Sequence, residues 1–130
     1  MIVDPSALLA ILFRETGFES FDIAIARASS CRLSAAGFVE VSIIVESRGG
    51  DSALRQWDAF VRQARISIDP VTEDLAYIAR QAYSDYGKGR HPAALNFGDC
   101  FSYALAKSMD EPLLFKGDDF RKTDVKPAIA

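Results

Sequence analysis

Five acidic residues in this sequence stand at positions where chemistry is conceivable: Asp4, Glu40, Asp99 and the adjacent pair Asp118-Asp119. Asp4 follows the apolar run Met1-Ile2-Val3 and precedes Pro5. Glu40 lies early in an apolar-patterned helix. Asp99 follows Gly98 at the end of a loop rich in Gly, Pro and basic residues. Asp118 and Asp119 occupy a polar turn behind Leu113-Leu114-Phe115. Carboxylate oxygens suit the hard cations Mg²⁺ and Mn²⁺. Two carboxylates can hold one ion and leave positions for water, and the ion then polarises a phosphodiester and lowers the pKa of an attacking water. Gathered carboxylates repel one another without a cation, so such a site is strained when metal is absent. Taken singly, most of these acids have a plainer role. Asp99 reads equally well as a helix cap, Glu40 as a first-turn acid favoured by the helix dipole, and Asp118-Asp119 as a turn. Asp4 resists, because an acid directly behind an apolar strand is costly to bury unless paired or metal-bound.

The elements that must position these acids alternate between strand and helix. Residues 1–3 read as a strand, and Pro5 fits the first turn of a helix over 6–14 with Leu8, Leu9, Leu12 and Phe13 inward. Gly17 ends it, and a helix over 18–28 follows. Cys31 to Ser34 is a second strand and Ala36-Gly37 a junction. Helices then span 38–47 and 52–64, separated by the stop Arg48-Gly49-Gly50-Asp51. Residues 65–69 alternate as a third strand. Thr72 caps a helix running to about Tyr86, residues 87–97 form a loop, and Asp99 opens a helix to about Ser108. Leu113 to Phe115 is the fourth strand, and Val125 to Ala130 is read as a further edge strand. The alternation predicts an α/β/α sandwich with a central, mainly parallel sheet of four to five strands flanked by helices. Ligands bind such sheets beyond the carboxyl ends of the strands, which is where Asp4 and the Asp118-Asp119 pair fall.

Composition narrows the function. The 130 residues fit one domain, 1–130, and such a chain buries roughly two-thirds of its unfolded surface without staples. With 49% hydrophobic and 25% charged residues it has a globular composition. No apolar run reaches the roughly 20 residues that span a bilayer. The N-terminus lacks the basic segment of a secretion signal and carries an acid at position 4, so a cytoplasmic protein is expected. Cys31 and Cys100 have neither CxxC spacing nor a histidine near in sequence and are expected to be small buried hydrophobes. The single histidine, His91, precedes Pro92 in a loop and is expected at the surface. No nucleophile elbow, dinucleotide fingerprint or phosphate loop is present. A net charge of −3 weighs against nucleic-acid binding, unless metal offsets the acids or a basic partner covers them.

Four stretches, MIVDPSALLAIL, LSAAGFVEVSIIV, HPAALNFGDCFSYALAK and PLLFKGDDF, occur in an order and spacing that resembles the PIN-domain ribonucleases, and within them the VapC toxins of type II toxin–antitoxin systems. The likeness covers essentially the whole chain. It implies an Mg²⁺- or Mn²⁺-dependent endoribonuclease acting on RNA such as tRNA or rRNA, with Asp4, Glu40, Asp99 and Asp118 catalytic and metal-binding. Asp4 and Asp99 would be the principal ligands, with Glu40 acting directly or through water. The fourth acid is uncertain by one position. Asp118 is favoured, with Asp119 capping the turn. Ser6 matches a small hydroxyl position that holds Asp4 or a metal water, and Asn96 a polar position that orients Asp99. Basic residues near the acids, Lys88, Arg90, Arg14 and Lys116, and also Lys107, would steer phosphates. The resemblance further implies a VapB-type antitoxin, and a homodimer or a heterotetramer or octamer with that antitoxin. The helices at 6–14 and 38–64 offer a groove for it, although Phe13, Phe21, Trp57 and Phe60 read first as core. The alternative is an inactive PIN-like module that binds RNA or protein. A structure-selective DNA nuclease is disfavoured, because the short chain lacks the helical arch such enzymes carry.

Overall fold

A computed structural model describes all 130 residues. Four parallel strands, β1 (Ile2–Val3), β2 (Cys31–Ser34), β3 (Ile66–Asp69) and β4 (Leu113–Leu114), form one sheet in the order β3-β2-β1-β4. Parallel neighbours require crossovers, and helices supply them: α1 (Pro5–Leu12) and α2 (Phe18–Arg27) after β1, α3 (Ala35–Gln63) after β2, and α4 (Glu73–Tyr86) and α5 (Phe97–Met109) after β3. The chain steps outward from β1 to β2 to β3, then returns to the opposite side of β1 for β4. The strand order therefore reverses at β1, which makes the carboxyl ends of β1 and β4 the crevice where ligands of open α/β sheets bind.

The side-chain period of two divides the core between the faces of the sheet. Ile2 and Leu113 face one apolar cluster with α4 and α5, and their neighbours Val3 and Leu114 face a second with α1, α2 and α3. The register Ile2↔Leu113, Val3↔Leu114 aligns these pairs. The expected edge strand at the C-terminus is reduced to one bridge, Leu113↔Pro127. Cys31 and Cys100 are buried. No helix is long and apolar enough to cross a membrane.

Two local outcomes differ from the sequence reading. Ala36-Gly37 is not a junction: Ser34 caps a helix that already runs from Ala35, its Oγ accepting from the Ala36 N–H at 3.3 Å. Gly37 is needed because α1 crosses there, and a Cβ would lie 2.9 Å from Leu33 Cδ1 and 3.2 Å from Pro5 Cγ. The four-residue stop at 48–51 shrinks to Gly50, with φ 66° and ψ −158°, a combination essentially reserved for glycine. The reversal there is sharp. Residues 42 and 57 of a straight helix would stand about 22 Å apart, yet Trp57 Nε1 donates to Ser42 Oγ at 3.0 Å. The two limbs of α3 thus fold back on each other, with the fully buried Trp57 packed between Phe38 and Phe60 at centroid distances of 5.8 and 6.4 Å.

Candidate active site

Asp4 caps α1 at the carboxyl end of β1, with Pro5 at the first helical position. Its backbone N–H donates to Leu114 O of β4 at 2.9 Å, so the residue is clamped into the crevice. Only 4% of its surface is exposed. One carboxylate oxygen, Oδ2, accepts from the Ser6 N–H at 2.9 Å and Ser6 Oγ at 2.6 Å, and Oδ1 accepts from Ser102 Oγ at 2.6 Å. Ser6 Oγ in turn accepts from the Lys116 N–H at 3.0 Å, joining the exit of β4 to the same cluster. Burial raises the Asp4 pKa above its ordinary value, against the pull of the hydrogen bonds from Ser102 and Ser6.

Asp99 and Glu40 converge on Asp4 from two other elements. Asn96 and Asp99 form a reciprocal capping box at the start of α5. The Asp99 N–H donates to Asn96 Oδ1 at 2.9 Å, and the Asn96 N–H donates to Asp99 Oδ2 at 3.0 Å. The cap leaves Oδ1 of Asp99 without a protein donor. Burial chiefly raises the Asp99 pKa to about 6; the bond from Asn96 opposes the rise, and the negative charges of Asp4, Asp119 and Glu40 add to it. Glu40 reaches across from α3, its pKa raised by burial and by the charge of Asp4. Its carboxylate lies over the first turn of α5, where a Cβ on Gly98 would collide with Oε1. Gly98 is therefore the gap through which Glu40 reaches the cluster.

An all-oxygen set of this kind fits a hard divalent cation and no soft one. No three of the acidic, His or Cys side chains are arranged to grip an ion directly. Cys100 beside Asp99 is no nucleophile, since its Sγ donates to Asn96 O at 3.3 Å and burial, with the Asp99 charge, pushes its pKa up to about 11.

Residues 1–126 match the PIN domain family. A ribonuclease VapC of Mycolicibacterium smegmatis is 48% identical over 125 residues, covering 96% of this chain and 97% of that protein. The chain belongs to the PIN-domain family, among its VapC ribonucleases. Two solved structures share the fold. VapC20 of Mycobacterium tuberculosis, described as a sarcin-ricin loop cleaving toxin, superposes with a TM-score of 0.74 at 20% identity over 97% of this chain and 98% of that one. A toxin–antitoxin complex from Klebsiella pneumoniae does so at 0.69 and 18%, over 95% and 92%.

Against the expectations for a PIN-domain site, the structure draws Asp4, Glu40, Asp99, Ser6 and Asn96 together. At the GDDF turn both acids are exposed, and it is Asp119 whose charge bears on Asp99. Asp119 precedes the short 3-10 helix Phe120–Lys122 and makes no side-chain cap bond. Of the basic residues, Lys88 and Arg90 are exposed on the loop that leads to Asn96, with the Arg90 guanidinium 5.8 Å from the Tyr83 ring. Lys116 Nζ is bound to Glu15 at 2.6 Å, Arg14 lies over Phe18 at 5.8 Å, and Lys107 pairs with Asp124 at 3.0 Å, two turns along α5 from Asp99. His91 is half-buried, not on the open surface: its Nδ1 accepts from the Ala93 N–H at 3.0 Å, and its ring meets Tyr86 edge-on. The sequence reading missed Ser102 and Gly98. A serine in the apolar run Cys100 to Ala106, one turn beyond Asp99 on the same helix face, was the available signal.

Proposed function

We propose that this chain is the toxin of a type II toxin–antitoxin pair and cuts RNA phosphodiesters at the Asp4–Glu40–Asp99–Asp119 cluster with Mg²⁺ or Mn²⁺ bound. The supporting observation is that three carboxylates, from the exit of β1, from α3 and from α5, press on one another's charge at the point where the strand order reverses. When bound, the cation supplies polarisation of the phosphodiester and acidification of the attacking water. Asp4 and Asp99 hold it, with Glu40 and Asp119 completing the negative field. Ser6 keeps Asp4 in place, and Asn96 ties down one oxygen of Asp99 so that the other stays free. Lys88 and Arg90, unpaired with any acid, attract the RNA backbone towards the N-terminus of α5.

The antitoxin of VapB type docks on the outer side of α3. There Val39 and Ile43 are more than half exposed beside Phe38 and Leu54, in a groove edged by Glu46 and Asp58. A second copy of the chain packs against α4 and α5, where Tyr77, Tyr83 and Phe97 form the other exposed apolar face.

The deciding experiment is RNA cleavage by purified protein with and without Mg²⁺. Asp4→Asn or Asp99→Asn should lower the rate at least about 100-fold with the circular dichroism spectrum unchanged. Tight RNA binding without Mg²⁺-dependent cutting would establish the inactive binding module instead.

A further inference from the structure

Ser102 is 2% exposed. A helical serine commonly satisfies its hydroxyl on the carbonyl one turn back, as the half-buried Ser42 does on Phe38 O at 2.7 Å and the exposed Ser84 on Arg80 O at 3.4 Å. Ser102 does not. Its one proton goes to Asp4 Oδ1 at 2.6 Å, across 98 residues of sequence. Ser6 holds the other oxygen of the same carboxylate. A carboxylate held on only one oxygen can still turn about its Cβ–Cγ bond. Held on both, from two different elements, it presents its remaining lone pairs in one orientation. The hydroxyl also sits one turn beyond Asp99 on α5, so the helix that carries Asp99 fixes the spacing between that acid and Asp4.

We propose that Ser102 is a positioning residue: by donating to Asp4 Oδ1 it sets the orientation in which Asp4 receives a divalent cation. This rests on Asp4 being a ligand, as argued under Proposed function. A serine that merely satisfied a buried acid would affect stability and leave the affinity for the ion alone.

The test is Mn²⁺ binding to the full chain without RNA, followed by electron paramagnetic resonance of the free ion. Ser102→Ala should weaken binding about 10–100-fold, the usual effect of removing a group that orients a ligand. Ser102→Thr, which keeps the hydroxyl, should restore it. In an Asp4→Asn background Ser102→Ala should have no further effect, since the two residues act as a unit. If Ser102→Ala does not fold in the absence of metal, Ser102→Cys, nearly isosteric and a poor donor, takes its place with a loss of the same direction. Undiminished Mn²⁺ affinity in the folded variant, with Asp4→Asn impaired, overturns the positioning role alone. Undiminished affinity in Asp4→Asn as well overturns the metal assignment on which it rests.

Discussion

At the scale of single residues, the site is an arrangement of charges that resist one another, and its fourth acid stands in the GDDF turn. Asp119 bears on Asp99, and nothing ties its side chain to the turn. Asp119→Asn should therefore slow RNA cleavage about 10–100-fold, and Asp118→Asn should leave it nearly unchanged. Equal losses in the two variants, measured on one RNA at saturating Mg²⁺, would reject the assignment. Asp4 was legible in the sequence because an apolar run followed by Asp-Pro leaves the acid at a strand exit and a helix mouth at once. Asp99 was legible only as an ambiguity: the structure shows the cap on one oxygen and leaves the other without a protein donor. The choice between Asp118 and Asp119 was not legible, since a one-residue register in a turn depends on backbone geometry that residue types do not encode.

At the scale of elements, α5 organises the site. Asn96 caps it, Gly98 admits Glu40, Asp99 supplies a carboxylate and Ser102 holds Asp4. Gly98→Ala separates activity from stability. The added Cβ meets the far end of a flexible side chain, so the fold can yield at little cost, and alanine favours a helix over glycine by roughly 0.5–1 kcal/mol. The melting temperature should hold or rise slightly while cleavage falls about tenfold or more through displacement of Glu40. A variant with full activity would show that Glu40 need not stand where it does. Element types and order were readable from periodicity and glycine placement, including the two limbs of α3. Their ends were not, because Ser34 extends α3 by three residues and Gly37 serves a helix crossing that only the packed structure reveals.

At the scale of the whole molecule, the clustered acids make stability depend on pH and metal together. Asp4, Glu40 and Asp99 all have pKa values raised by folding. An acid with a raised pKa binds its proton more tightly when folded, so the metal-free fold gains stability as pH falls through about 6 towards the unfolded value near 4, and loses it as pH rises. Thermal melts between pH 7.5 and 5 should show this rise on acidification for the metal-free chain, and saturating Mg²⁺ should flatten it by stabilising the charged acids. A melting temperature that falls with acid over that window would contradict the shifts. The two exposed apolar faces predict separable partners. Ile43→Asp should block neutralisation by the antitoxin and spare cleavage. Phe97→Asp, at a side chain 79% exposed, should halve the sedimenting mass. The reverse pattern would exchange the two surfaces. The short contact between β1 and β4 carries one more consequence, for the order of events during synthesis. Leu114 O, which clamps Asp4, and the Lys116 N–H that secures Ser6 are each made 110 residues later than the groups they bind. At roughly 5–20 residues per second, a nascent chain waits on the order of 10 s with its first ligand unsupported. Until β4 and Lys116 have been made, the acid behind β1 has neither its backbone clamp nor the bond that secures Ser6.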